Sequence, residues 1–203
     1  MIGFNKTGTT SLYFALKELG YVVGNQVEAE MMIDEIAEED YSSLIKYCKS
    51  AEAFQDFPFS TPNIYKTLDI NFPGSKFILT IRDSEDQWFD SVVKYHTKLW
   101  SKDGQLQKAE EDLAKISYLY EGYVLKALKY VYGEGNYYDR ELYTGIYRKH
   151  NHDVMEYFKN RPNDFLVINL SDSTSYNRFC TFINRKSSRD QFDWKNKTSD
   201  IST

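Results

Sequence analysis

Gly3 and Gly8 bracket a short loop, Gly3-Phe4-Asn5-Lys6-Thr7-Gly8, that leads directly into Thr9-Thr10-Ser11 and a helical pattern. Glycine has no Cβ, so backbone N–H groups around it can turn inward and crowd an anion. A helix that begins just after such a loop adds unpaired amides and the positive end of its dipole. Thr7, Thr9, Thr10 and Ser11 contribute hydroxyls, Asn5 an amide, and Lys6 the cation. The string reads as a phosphate-binding loop.

The position of the lysine separates this loop from that of the nucleoside triphosphatases. In those, lysine directly follows the second glycine and reaches the β and γ phosphates. Here Thr9 holds that position and the lysine lies inside the loop. A cation placed there suits a shorter anionic group, one phosphate joined to a sulfate. No acidic residue follows an apolar strand in a way that clearly supplies a magnesium ligand, so no metal is expected.

Around the loop, apolar periodicity alternates between the two kinds of element. Leu12, Ala15, Leu16 and Leu19 recur at helical spacing, which predicts a helix over 10–19 closed by Gly20. Further helices are predicted over 31–49, 63–71, 85–99, 108–132, 140–160 and 175–184. The nearly continuous apolar runs at 76–81 and 165–170 are predicted buried strands, with a short one at 53–55. Met1-Ile2-Gly3 leaves little room for a first strand. Strands alternating with helices imply an α/β fold, a parallel sheet flanked by helices. Ligands of such sheets sit beyond the carboxyl ends of strands, where Lys6 and Arg82 both fall.

Length and composition narrow the setting. A chain of 203 residues, 41% hydrophobic and 27% charged, suits a single domain over 1–203. A net charge of −5 argues against a broad nucleic-acid surface but leaves room for a small anion site. Cys48 and Cys180 are far apart without metal-like spacing, which fits reduced thiols. No apolar run approaches the roughly 20 residues that span a bilayer, and no signal peptide is legible, so a soluble, cytoplasmic protein is expected. Aromatics at 16% supply a core and the walls of a pocket.

The segment Gly3-Phe4-Asn5-Lys6-Thr7-Gly8-Thr9-Thr10-Ser11-Leu12 resembles the 5′-phosphosulfate loop of sulfotransferases that use 3′-phosphoadenosine 5′-phosphosulfate (PAPS). Phe77-Ile78-Leu79-Thr80-Ile81-Arg82-Asp83-Ser84, with Trp88 and Ser91 behind it, resembles their 3′-phosphate segment. The likeness extends through Tyr147-Arg148-Lys149-His150-Asn151 and Leu166-Val167-Ile168-Asn169-Leu170. It implies a P-loop-like three-layer sandwich, PAPS as donor and no metal. By that likeness Lys6 contacts the phosphosulfate bridge, and Thr7, Gly8, Thr9 and Thr10 hold the 5′-phosphate, with Asn5 and Ser11 beside them. Arg82 and Ser91 then bind the 3′-phosphate, a task that suits the always-charged guanidinium fork. Ser91 follows Arg82 by one residue more than the family usually has, which turns a helix position by about 100°. Ser84 replaces the family's proline.

Sulfuryl transfer also needs a base for the acceptor proton. Asp56-Phe57-Pro58 stands where relatives carry a histidine-x-proline, which makes Asp56 the first candidate; His96 is the second, and His150 lies on a later helix. The tail Phe192-Asp193-Trp194-Lys195-Asn196-Lys197 resembles a segment that folds over the nucleotide, with Trp194, Lys195 and Lys197 as contacts. The Tyr-rich stretch 94–140 is expected to shape the pocket for a small-molecule or glycan acceptor. A nucleotide kinase and a non-catalytic nucleotide-binding protein are the alternative readings.

Overall fold

The computed structural model describes residues 1–102 and 104–193. Helices α1 (Thr9–Glu18), α2 (Gln26–Glu30), α3 (Ile33–Ala37), α4 (Ser42–Tyr47) and α5 (Ile64–Asn71) precede strand β1 (Phe77–Ile81). Then follow α6 (Glu85–Trp100), β2 (Ser101–Lys102), β3 (Gln105–Leu106), α7 (Glu110–Leu113) and α8 (Tyr123–Tyr132). The described elements end with α9 (Arg140–Phe158), β4 (Phe165–Asn169) and α10 (Ser175–Phe182).

At the centre β1 pairs in parallel with β4, in register from Phe77 opposite Phe165 to Ile81 opposite Asn169. Successive side chains of a strand point to opposite faces, and both faces here are apolar. Phe77 and Leu79 join a core with Ile2, Tyr65, Val154 and Phe158, while Ile78 joins Leu12, Leu16, Ile168, Tyr176 and Phe179. Helices therefore cover the sheet on both sides, as the alternation of elements predicts. A third cluster, around Phe4, Trp88, Phe89, Leu128 and Tyr143, ties α6 and α8 to α9.

The sheet continues beyond β1 through single bonds rather than ladders. The Ile2 N–H donates to the Ile78 carbonyl at 2.9 Å, and the Met1 nitrogen donates to the Phe54 carbonyl at 2.7 Å. Val23 and Ala53 form an isolated parallel bridge beyond that. The strand expected at 53–55 is thus one bridge, because the segment turns at Asp56 after two residues of pairing. Gly3 is what lets the opening segment approach β1: a Cβ there would lie 2.3 Å from Thr80 Oγ1 and 2.4 Å from its carbonyl oxygen.

Two long predicted helices are broken. The stretch 31–49 becomes α3 and α4, preceded by α2, because Glu39 adopts φ 60 and Asp40 Oδ1 accepts the Ser42 N–H at 2.9 Å to start a new turn. The stretch 108–132 divides into α7 and α8 around a Ser117–Glu121 bridge, with Gly122 at φ 86 opening α8. The hairpin of β2 and β3 falls where no strand is predicted. Ser84, in place of the family's proline, caps α6 by accepting the Gln87 N–H at 3.1 Å. Both cysteines are free, and among the described residues no helix is long and apolar enough to cross a membrane.

The close approach at Gly3 generates a stability prediction. Gly3→Ala is expected to cost about 1–3 kcal/mol, the usual range for overpacking, and to lower Tm by several degrees. Gly145→Ala, inside α9 with no atom within 4 Å of the added Cβ, is expected to raise Tm slightly. Thermal unfolding followed by circular dichroism checks both.

Candidate active site

The loop from Gly3 to Gly8 is held from behind, one carbonyl at a time. The Phe4 carbonyl accepts from the Thr7 hydroxyl at 2.5 Å, the Asn5 carbonyl from Trp88 Nε1 at 3.0 Å, and the Lys6 carbonyl from Arg82 Nε at 2.6 Å. Trp88 is itself immobilised by stacking on Tyr147, centroids 4.4 Å apart, and Tyr147 Oη accepts the Arg82 N–H at 3.0 Å. A trans peptide sets each N–H opposite the preceding carbonyl, so holding these three carbonyls also fixes the directions of the Asn5, Lys6 and Thr7 amides.

Gly8 then takes φ 107 as the residue before α1, whose first turn has no capping side chain. A helix start of this kind presents its amides and positive dipole end to whatever lies in the cleft. The positive φ of Gly8 is what calls for glycine; a Cβ there would also come within 2.3 Å of Leu170 Cδ2 and push that side chain aside.

In front of this loop lies a cleft of about 660 Å³. Of the residues expected at the donor site, Asn5, Lys6, Thr7, Gly8, Thr9, Thr10, Arg82 and Ser91 all line it, as do Asp56 and His96. Ser91 reaches the wall despite its longer spacing from Arg82. Ser11 does not: it is buried on α1 and absent from the cleft wall, being turned about 200° around the helix from Thr9. The Thr7 side chain is also committed inward, to Phe4 and, at 2.6 Å, to the Thr80 hydroxyl. Only its backbone remains for a ligand. Trp194, Lys195 and Lys197 lie outside the described residues.

Lys6 and Asp56 both line the cleft and each acts on the other's charge. Both hold left-handed backbone conformations, φ 63 and φ 62, which cost a non-glycine residue energy and persist where surroundings impose them. Lys6 Nζ sits 3.6 Å above the centre of the Tyr95 ring. Burial, reinforced by the nearby Arg82 charge, lowers its pKa to about 8. Asp56 Oδ2 accepts from the Thr9 hydroxyl at 2.8 Å, and Oδ1 accepts its neighbour Phe57 N–H at 3.0 Å. Burial raises the Asp56 pKa above the ordinary carboxylate range, against the opposing effect of these bonds and of Lys6. A carboxylate of raised proton affinity next to a cation of lowered proton affinity is a pair suited to moving a proton near neutral pH.

His96 is less suited. It is buried, its Nδ1 lies 3.0 Å from the Tyr138 hydroxyl, and its ring is 4.2 Å from that of Trp100. Burial drives its pKa down to about 3, so it is a weak proton acceptor. His150 is buried against Phe4, at 4.8 Å, and hydrogen-bonded to the Ile2 carbonyl at 2.9 Å, a packing role.

Tyr95, in the Tyr-rich stretch expected to shape the pocket, lies one helical turn beyond Ser91 on α6 and lines the cleft. One residue that sequence reasoning missed is Glu30. Glu30, at the end of α2, is only 7% exposed and lines the cleft. Its Oε1 accepts from Gln26 Nε2 at 2.9 Å, and the same nitrogen donates to the Phe57 carbonyl at 2.7 Å. Burial lifts its pKa to about 7. No pattern marked Glu30, which falls just before the helix predicted over 31–49. Tyr95, Trp100, Tyr118, Tyr123 and Tyr132 from the Tyr-rich middle of the chain line the same cleft. Among the described residues no group of three or more His, Cys, Asp or Glu is arranged to hold a metal ion.

A family model described as a sulfotransferase domain matches residues 1–201. No curated protein matches the chain.

The buried imidazole yields a pH prediction. The folded value for His96 is below its ordinary one, so the folded protein binds fewer protons than the unfolded chain as pH falls from 6.5 toward 3. The stability this residue confers is fully present above pH 6.5 and is lost on acidification. Urea unfolding at pH 7 and pH 4 is expected to show wild type losing more stability than His96→Gln over that interval.

Proposed function

Because the chain belongs to the sulfotransferase family, we propose that it transfers the sulfuryl group of PAPS to a hydroxyl or amine of its acceptor, with Lys6 and Asp56 at the reacting centre. One observation carries the assignment of roles. The Thr9 hydroxyl at the start of α1 donates to Asp56 at 2.8 Å, so the helix end that suits a phosphate and the carboxylate that suits an acceptor proton are one hydrogen bond apart.

The residues present fit the donor. The amides of the loop, the start of α1 and Thr10 match a 5′-phosphate, and Lys6 matches the bridge between phosphate and sulfate. Arg82 and Ser91, on the cleft wall beyond β1, match the 3′-phosphate. When bound, PAPS supplies an activated sulfuryl group whose leaving phosphate needs a counter-charge. Lys6 provides that charge from a partly desolvated position, where it acts more strongly than in water. Asp56 takes the proton of the attacking hydroxyl or amine, and Thr9 keeps its carboxylate oriented. Arg82, bonded to the Lys6 carbonyl, keeps the cation in register with the end of β1.

Calorimetry with 3′-phosphoadenosine 5′-phosphate (PAP), the expected product, tests the donor site. Micromolar binding without added metal is expected. Lys6→Ala should weaken it by about one to two orders of magnitude, the usual worth of a charge-assisted bond. Tighter binding of magnesium-ATP than of PAP would instead indicate phosphoryl transfer. Asp56→Asn is expected to leave PAP affinity nearly unchanged while lowering kcat by about 10²–10⁴-fold, the usual contribution of a general base. Retained turnover would remove Asp56 from the reaction.

The pH dependence follows from the same two groups. Asp56 must be ionised to accept a proton, so kcat/KM should rise through a pKa above the ordinary carboxylate range. Lys6 must be protonated to hold the phosphosulfate, so kcat/KM should fall again above about pH 8. A bell-shaped profile whose acid limb disappears in Asp56→Asn is the expected result.

A further inference from the structure

Glu30 has a chemistry that the donor site leaves unused. Its Oε1 is bound by Gln26, but Oε2 is buried without a hydrogen-bond partner among the described residues, and so is Gln55 Oε1. Both residues line the cleft. A buried acceptor oxygen left unmatched is destabilising, and a ligand carrying a donor group recovers that loss. Gln26 fixes the geometry from the other side: its Nε2 bridges Glu30 to the Phe57 carbonyl, and its Oε1 accepts from Gln55 Nε2 at 3.3 Å. The carboxyl is therefore anchored to the same loop that carries Asp56.

The surroundings of Glu30 are aromatic. Its charge acts on Tyr95, Tyr118 and Tyr123, and the Asp56 charge acts on it. Tyr118 packs 5.8 Å from Tyr123 and 6.4 Å from Trp100, and Phe57 lies 6.4 Å from Tyr123. Ring walls of this kind hold a flat group by its faces. Two neighbouring carboxyls within them make the pocket inhospitable to a carboxylate, phosphate or sulfate on that group.

We propose that these rings and Glu30 form the acceptor subsite, and that Glu30 selects a ring-bearing, non-anionic acceptor that donates a second hydroxyl or an ammonium group to Oε2, apart from the group that Asp56 deprotonates. This rests on the sulfuryl-transfer reading, in which Asp56 marks where the reacting group lies. Glu30 is a specificity residue. Burial raises its pKa to about 7. The groups that face it are Gln26 on its own helix, Asp56 and Phe57 on the loop, Tyr95 on α6, and Tyr118 and Tyr123 before and on α8.

Calorimetric titration of the full chain at pH 8 with phenol, resorcinol, tyramine and 4-hydroxybenzoate, each with and without PAP, tests this. At that pH Glu30 is mostly ionised. Resorcinol and tyramine are expected to bind about tenfold more tightly than phenol, the increment of one bond to a charged group. 4-Hydroxybenzoate should bind more weakly than phenol. The resorcinol and tyramine arms separate a hydroxyl preference from an ammonium preference. Glu30→Gln should abolish most of the tyramine advantage and relieve the discrimination against 4-hydroxybenzoate, with phenol affinity retained. Gln26→Leu, which frees Glu30 from its anchor, should reduce the same preferences in part and covers the case in which Glu30→Gln does not fold. Equal affinities for the four probes in wild type, or an unchanged ranking in the variants, would overturn the proposal. Ring preferences without PAP binding would break the donor reading alone, and PAP binding without ring preferences would break this one alone.

Discussion

Three consecutive carbonyls, those of Phe4, Asn5 and Lys6, are each held from behind by a side chain: Thr7, Trp88 and Arg82. The rest of the site depends on this arrangement. A loop of free carbonyls beside an anion would repel it, whereas a loop whose carbonyls are occupied can turn its amides outward. Each holding residue belongs to a different part of the fold: the loop itself, the first turn of α6, and the end of β1. The stacking of Trp88 on Tyr147 brings in α9 as a fourth support. The shape of this loop is thus a property of the packed core expressed at its surface.

The same burial that shapes the loop moves proton affinities toward neutrality. Desolvation disfavours charge of either sign, so it lowers the pKa of Lys6 and raises those of Asp56 and Glu30. Lys6 remains largely protonated at neutral pH because its shift stops at about 8, and its position over the Tyr95 ring offers compensation for lost water. His96, more deeply enclosed and close to Lys6, is pushed down to about 3. One cleft therefore sorts its titratable groups into a cation, ionisable carboxyls and a neutral imidazole, with burial as the common cause.

Much of the fold was legible because its signals are local. The apolar runs that became β1 and β4, and the periodic segments that became α1, α5, α6 and α9, fall close to their predicted places. The failures occurred where a backbone turn overrode periodicity. Glu39 in a left-handed conformation divides one predicted helix, and Gly122 opens α8 within another. The short strand expected before Asp56 dwindled to a single bridge because the chain turns there.

From the sequence alone came the loop, its internal lysine, the strand-end arginine and the family resemblance, since each resides in residues adjacent along the chain. Its hydroxyls could be counted but not assigned: Thr7 faces inward, Ser11 is turned away, and Thr9 bonds to Asp56. Glu30 became visible only in three dimensions, and the ring wall expected from the Tyr-rich stretch 94–140 acquired its particular members only there, because α2, α6 and the region around α8 are distant in sequence. Burial and convergence set the chemistry of a side chain, and both are decided by how distant segments pack.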